Sequence, residues 1–144
     1  MNAKQYLQEV NRLNMLIENK LIERNQWRDI ALGITGDVER EKVQTSGTQQ
    51  KMAVAVERYV DIENEINEYI DLLYEVKKDV LQTIEQLSSA EYQILHKVYI
   101  QGIKRLADVA LECGKSYSWT QTNHKIAVRK VQQILDDRKK EGLK

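Results

Sequence analysis

The sequence predicts an all-α protein in which a long antiparallel, coiled-coil-like helical hairpin precedes a C-terminal helix-turn-helix domain. The 144 residues include no Pro and six Gly, which leaves few places for the tight turns that connect strands. Apolar residues recur at three- and four-residue steps through most of the chain, the period of amphipathic helices. Segment 106–131 has a short apolar helix, a turn at Gly114 and a longer helix with a polar outer face, the layout of a helix-turn-helix.

Composition narrows the classes of function. The apolar content of 42% is sufficient for a globular core, and no apolar run approaches the roughly 18 residues of a transmembrane helix. The N-terminal segment MNAKQYLQEV lacks the apolar stretch of a secretion signal, so we expect a cytoplasmic protein with no membrane partner. The single cysteine, Cys113, cannot form an internal disulfide or a cysteine-rich zinc site, and we expect no cofactor.

Charge divides the chain into two parts. Residues 1–87 contain 11 Lys and Arg against 16 Asp and Glu, a balance of −5, whereas residues 88–144 contain 11 against 6, a balance of +5. This asymmetry predicts that the C-terminal part contacts a polyanion and the N-terminal part does not. We therefore expect a helical hairpin at 1–87 for assembly or partner contact, and a DNA-binding domain at 88–144.

The first helix is predicted from about Ala3 to Leu32. Asn2 and Gln5 form a candidate capping box at its start, and Gly33 and Gly36 end it. Its apolar stripe consists of Tyr6, Leu7, Val10, Leu13, Leu16, Ile17, Leu21, Trp27, Ala31 and Ile34. The stripe marks the face that this helix buries.

The second helix is predicted from about Gln49 to Leu87, after a loop at roughly 33–48 in which Thr48 is a candidate cap. Its apolar residues step mostly by three, four or seven, as in a coiled-coil seam. They are Met52, Val56, Tyr59, Ile66, Ile70, Leu73, Val80, Ile84 and Leu87, broadened by Val60, Ile62, Tyr69 and Val76. Helices of this length need a partner, so we expect an antiparallel hairpin, with dimerisation into a four-helix bundle as an extension of it.

Acidic residues of the second helix raise the alternative of an enzyme. Glu65, Glu68 and Asp71 share a face, as the Mg²⁺ ligands of all-α nucleotide pyrophosphohydrolases do, but a solvated helix face has the same pattern and is far more common. The sequence has no Gly-rich phosphate loop and no Glu-x-x-His pair, and no Ser, His and acid stand out as a triad. We therefore expect no enzymatic activity.

A new helix is predicted to begin after Ser88. This residue and Glu91 have the spacing of a capping box, and Leu87 is placed to pack on Tyr92. The helix ends at Gly102. Its expected buried residues are Ile94, Leu95, Val98 and Tyr99.

The predicted helix-turn-helix follows. Its first helix extends from about Lys104 to Glu112, residues 113–115 form the turn, and Ser116 caps the last helix. The first helix buries Leu106, Val109 and Ala110, and the last helix has Tyr117, Thr120, His124, Ala127, Val128, Val131 and Leu135 at core spacing.

The outer face of the last helix carries the candidate DNA contacts. Its side chains are of the types that reach base edges or phosphates in a major groove: Ser118, Trp119, Gln121, Thr122, Lys125 and Arg129. Four further cations are placed to hold the DNA backbone: Lys104, Arg105, Lys115 and Lys130. Packing within the protein is the alternative role for Trp119, and a solvated helix of a structural bundle is the alternative for the whole face.

The C-terminal part resembles the fourth region of bacterial sigma factors. The residues that match its pattern are Leu87, Ser88, Glu91, Ile94, Leu95, Tyr99, Gly102, Leu106, Val109, Ala110, Gly114 and Ser116. The whole chain is similar to a family of small phage and prophage proteins of Gram-positive bacteria. That likeness includes a KVQTS-like segment at 42–46 and a D-x-E-x-E-I-N helix at 61–67. It implies a transcriptional regulator of phage late genes in the cytoplasm of the bacterial host.

The chain departs from the family pattern at three places: Thr120 stands where an aliphatic residue is usual, Asn123 and His124 replace an Ile-His pair, and Lys104 replaces a capping Ser or Thr. We expect sequence-specific binding of duplex DNA, with RNA polymerase and a second copy of the chain as candidate partners. The alternatives are a packaging-initiation protein of the small-terminase type, which rings of eight or more chains would favour, and a coiled-coil adaptor that does not bind DNA.

Overall fold

The computed structural model describes residues 2–33 and 46–142, and these ranges are predominantly α-helical, which confirms the predicted class. The helices are α1 (Ala3–Ala31), α2 (Ser46–Ile84), α3 (Ser89–Leu95), α4 (Leu106–Cys113) and α5 (Tyr117–Gly142). A π-helical turn, His96–Ile100, continues α3. The predictions for Ile34, Gly36 and positions 42–45 lie outside the described residues. Within the described ranges, no helix has the length and apolar character needed to cross a membrane.

Local capping signals set several helix ends. The Asn2 side chain accepts from the Gln5 N–H at 2.8 Å, and the Gln5 side chain accepts from the Asn2 N–H at 3.1 Å. Ser88 and Glu91 form the same reciprocal pair at the start of α3, at 3.3 and 3.2 Å. Both predicted capping boxes are therefore present. Gly33 follows α1 with a φ of 68°, as expected for the residue that ends this helix.

The second helix differs from its prediction in extent. It begins at Ser46 rather than near Gln49, so Thr48 lies inside the first turn of the helix and not before its start. It ends at Ile84 instead of continuing to Leu87. Helix ends are set by local hydrogen bonds that apolar spacing does not report, which is why the expected bounds were off by three residues at each end.

The buried seam of α2 also differs from its prediction. Val56 and Ile70, expected in the seam, are 49% and 47% exposed, and Val60 is 49% exposed. The buried apolar positions are Ala55, Ile62, Ile66, Val80 and Ile84, and Thr83 is buried beside them. Apolar residues occupy two neighbouring stripes of α2, about 100° apart, and periodicity alone does not identify which stripe the protein covers.

One compact unit comprises Asn14–Leu72. In it, Lys20 pairs with Glu65 and Arg24 with Glu63, each at 2.7 Å. Because a later residue of α1 meets an earlier residue of α2, the two helices run in opposite directions here. The Arg58 guanidinium lies over the Trp27 ring at 5.7 Å and is a further contact between the two helices.

The other compact unit comprises Met1–Leu13 with Leu73–Lys144. Its core joins residues from both ends of the chain: Ala3, Leu7, Val10, Val80, Ile84, Leu95, Tyr99, Ala127 and Val131. Helix α5 packs against α3 and α4. This unit contains the whole of 88–142 together with the start of α1 and the end of α2. The predicted division of function at residue 87 stays a prediction.

A network of hydrogen bonds and one ion pair holds the C-terminal half of α5 against the rest of this unit. Arg138 donates to Thr83 at 2.6 Å and pairs with Asp79 at 3.2 Å, and the Tyr6 hydroxyl donates to the Asp79 carboxylate. Burial and the Asp79 carboxylate raise the pKa of Tyr6, which keeps its hydroxyl protonated. The network connects α1, α2 and α5.

Candidate nucleic-acid interface

A three-residue turn connects α4 to α5. Gly114 has a φ of 66°, a conformation that costs an L side chain roughly 1–2 kcal/mol. The Lys115 N–H donates to the Ala110 carbonyl at 3.0 Å and so closes the end of α4. The Ser116 hydroxyl then accepts from the Trp119 N–H at 3.1 Å and caps the start of α5. Both roles, of Gly114 and Ser116, are those expected from the sequence.

The inner face of α5 is set by Thr120, Ala127 and Val131, all fully buried. Thr120 was predicted at core spacing and is buried, and its hydroxyl donates to the Ser116 carbonyl at 2.9 Å. This bond satisfies the buried hydroxyl without a partner from another helix. The prediction that Tyr117 is buried is wrong, since it is 51% exposed. Spacing places it on the inner side, but burial of a first-turn residue also needs an element that covers it.

A tyrosine and a histidine hold α5 to the π-helical turn. The Tyr99 hydroxyl lies 2.9 Å from His124 Nε2, and the two rings stack with centroids 5.8 Å apart. Burial, with a smaller effect of Lys4, lowers the pKa of His124, and burial raises the pKa of Tyr99. The imidazole is therefore neutral near pH 7 and shares one hydrogen bond with the tyrosine hydroxyl through Nε2. Asn123, beside it, donates to the Trp119 carbonyl at 2.8 Å within the helix.

The outer face of α5 carries one continuous polar stripe. Ser118, Gln121, Thr122, Lys125 and Arg129 recur at helical spacing, and all five are exposed. Within residues 2–33 and 46–142, neither Lys125 nor Arg129 forms an ion pair. The stripe lies opposite the buried face and directly follows the turn. It thus presents two uncompensated cations beside three neutral hydrogen-bonding groups.

The remaining expected contacts are less uniform. Lys104 and Arg105 are exposed and precede α4, and Arg105 Nε is 4.0 Å from a carboxylate oxygen of Asp108. Lys115 lies in the turn with its ammonium 5.3 Å from the centre of the Trp119 ring. Trp119 itself is half-buried.

Lys130 has a role that the sequence did not reveal. Its ammonium lies 2.9 Å from a carboxylate oxygen of Glu91, which is only 3% exposed. Burial opposes ionisation of Glu91, but hydrogen bonds from Ser88 and Lys130 outweigh it and lower the pKa of this carboxyl. Lys130 thus neutralises the buried carboxylate that caps α3. Only the capping half of this arrangement is visible in local spacing, because the two charged residues are far apart in the chain.

The acidic residues of α2 do not gather into a metal site in the part of the chain that the structure describes. Glu65 pairs with Lys20, and no three His, Cys, Asp or Glu side chains of the described ranges are placed to hold a metal ion. No family model, no curated protein and no solved structure matches this chain. Its functional assignment therefore depends on the residues of the outer face of α5.

Proposed function

We propose that the protein is a sequence-specific DNA-binding regulator in which α4, the Gly114 turn and α5 act as a helix-turn-helix. The observation that carries the proposal is the polar stripe of α5, with two cations that lack an ion-pair partner among the described residues. The balance of +5 over residues 88–144 favours a polyanionic ligand. The sequence resemblance suggests that the regulated genes are phage late genes and that RNA polymerase is a second partner.

The stripe divides into two roles along α5. In helix-turn-helix proteins the N-terminal residues of the second helix reach base edges in the major groove. Gln121 and Thr122 lie there and have side chains that hydrogen-bond to bases or contact a thymine methyl group. Lys125 and Arg129 lie one and two turns further along, where contacts to phosphates are expected. Lys115 and Arg105 flank the same end of the helix and supply additional backbone contacts.

The test uses the full chain. A duplex selected from a random library provides the specific site, and a scrambled duplex of equal length provides the reference. Affinity for both is expected to fall with salt, and each lost phosphate contact lowers the slope of log K against log salt by about 0.9. No salt-sensitive association with any duplex would exclude the proposed function.

Two substitutions separate base contacts from phosphate contacts. Gln121→Ala is expected to cost roughly 1–3 kcal/mol on the selected site and little on the scrambled duplex. Arg129→Ala is expected to weaken binding to both duplexes alike and to reduce the salt slope. Gln133→Ala, an exposed glutamine of the same helix three turns after Gln121, is the matched control and should change neither affinity. Equal losses on both duplexes for Gln121→Ala would show that another face of α5 contacts the bases.

A further inference from the structure

Helix α2 carries a second apolar seam that faces solvent. Here the outer seam means Val56, Val60, Glu63, Asn67 and Ile70, whose steps of four, three, four and three residues are those of a coiled coil. Its three aliphatic members are 47–49% exposed. The same spacing continues in the sequence to Tyr74, which is 63% exposed. This seam is separate from the buried positions Ala55, Ile62 and Ile66, each of which lies one position before a member of the outer seam.

A seam of this kind is unusual on a surface helix. The exposed face of a helix in a monomeric protein is normally polar, and half-exposed aliphatic residues at coiled-coil spacing mark a face that packs against another helix. Positions 56 to 70 span about 21 Å along the helix axis at 1.5 Å per residue. That length accommodates two heptads, enough for a specific contact but one that needs a partner of matching pattern.

The outer seam is complementary to the same seam of a second, antiparallel helix. If the sequence is inverted about residue 65, position 60 meets position 70, position 63 meets position 67, and position 56 meets position 74. Aliphatic residues then face apolar residues, and the one acidic member faces the one amide. Such self-complementarity is the requirement for a two-fold symmetric interface, in which the same patch serves both chains. We propose that a second copy of this chain covers the outer seam, with the two α2 helices antiparallel about residue 65.

The central pair supports this register. Glu63 is held by Arg24 of its own chain at 2.7 Å, which orients its carboxylate beside the seam. Asn67 is exposed and makes no side-chain hydrogen bond to other described residues. In the antiparallel register its amide N–H groups lie opposite Glu63 of the second copy and donate to that carboxylate. Polar residues in a seam favour registers that pair them with each other, and in the antiparallel register Asn67 and Glu63 both find a partner.

Another exposed apolar pair supplies the control. Met15 and Ile22 of α1 are 59% and 58% exposed, slightly more than the members of the outer seam. They are seven residues apart, with polar Glu18 and Asn19 at the intervening seam positions, so they form no continuous stripe. A glutamate introduced at Ile22 therefore resembles a glutamate introduced at Val60 in charge and exposure. The two substitutions differ in that only Val60 belongs to the outer seam.

Sedimentation equilibrium of the full chain at tens of micromolar tests the interface. The wild-type protein is expected at twice the chain mass of 16.9 kDa, and Val60→Glu and Ile70→Lys are each expected at the mass of one chain. Because both residues are half-exposed, the helicity of the variants should match that of the wild type, and their urea midpoints should fall only by the stabilisation that dimerisation supplies. Ile22→Glu should remain dimeric. A monomeric wild type, a dimeric Val60→Glu, or dissociation by Ile22→Glu would each overturn the proposal.

Charge reversal tests the register. The double variant Val60→Glu with Ile70→Lys places opposite charges against each other in an antiparallel pair, and like charges in a parallel pair, so it is expected to recover the dimer that each single variant loses. A double variant that stays monomeric would overturn the antiparallel register. Glu57 and Asp71 border the seam on its solvent side and approach each other across the interface, so rising salt should strengthen association. Self-association that weakens with salt would contradict this register. Because DNA binding is expected to weaken with salt, the salt dependence distinguishes the dimer interface from the DNA contact.

Discussion

Leu7 provides a test of whether the start of α1 and the candidate DNA-binding helix form one cooperative unit. Leu7 is fully buried in a core that also contains Ala127 and Val131 of α5. Replacing a buried leucine with alanine costs about 2–5 kcal/mol, and urea slopes for small proteins are about 1–3 kcal/mol per molar. Leu7→Ala should therefore lower the urea midpoint of this unit by about 1–2 M.

Trp119 fluorescence reports the unfolding of α5 directly. The chain has two tryptophans, and Trp27 lies in the other compact unit, so a Trp27→Phe background leaves Trp119 as the only reporter. Leu111→Ala is the control, because its side chain is 80% exposed and its loss should change stability by less than about 0.5 kcal/mol. An unchanged Trp119 transition in Leu7→Ala would refute the reasoning, since α5 would then unfold independently of α1.

The same core has a consequence for a fragment that begins at Ser88. Such a fragment lacks Leu7, Val10, Val80 and Ile84, all fully buried in the unit. At roughly 1.5–3 kcal/mol each, their burial contributes about 6–12 kcal/mol, comparable with the whole stability of a small domain, about 5–15 kcal/mol. We expect the isolated fragment to lack a cooperative transition, which is why DNA binding is to be measured on the full chain.

Two further predictions concern the turn and the buried histidine. Gly114→Ala should lower the stability by about 1–2 kcal/mol through backbone strain alone, because no other atom lies within 4 Å of the added methyl group. Gly142→Ala in the last turn of α5 is the control and should not lower the stability. Equal urea midpoints for the two variants would contradict the left-handed turn. The folded-state pKa of His124 lies below the ordinary value of 6.5, so its contribution to stability is present above pH 6.5 and is lost as the pH falls through the folded-state pKa. Urea midpoints measured across this range should decline more steeply in the wild type than in His124→Gln, and parallel declines would exclude the histidine as the cause.

The sequence determined the features that depend on neighbours within one helical turn. The capping pairs Asn2 with Gln5 and Ser88 with Glu91, the turn at Gly114 and the cap at Ser116 all form as their spacing predicts. The outer face of α5 was also predictable, because only its opposite face carries apolar residues at core spacing. In each case the interacting groups are within five residues, so local geometry alone brings them together.

Tertiary structure decided what depends on residues far apart in the chain. Ala55 is buried and Val56 is exposed, although both belong to apolar stripes of helical period. Which of the two stripes is buried depended on where α1 packs. Similarly, only the folded chain brings Lys130 to the buried carboxylate of Glu91, whereas Lys125 and Arg129 of the outer face have no ion-pair partner among the described residues. A repeating pattern identifies which residues share a face, but the energy of burial and ion pairing depends on what that face meets.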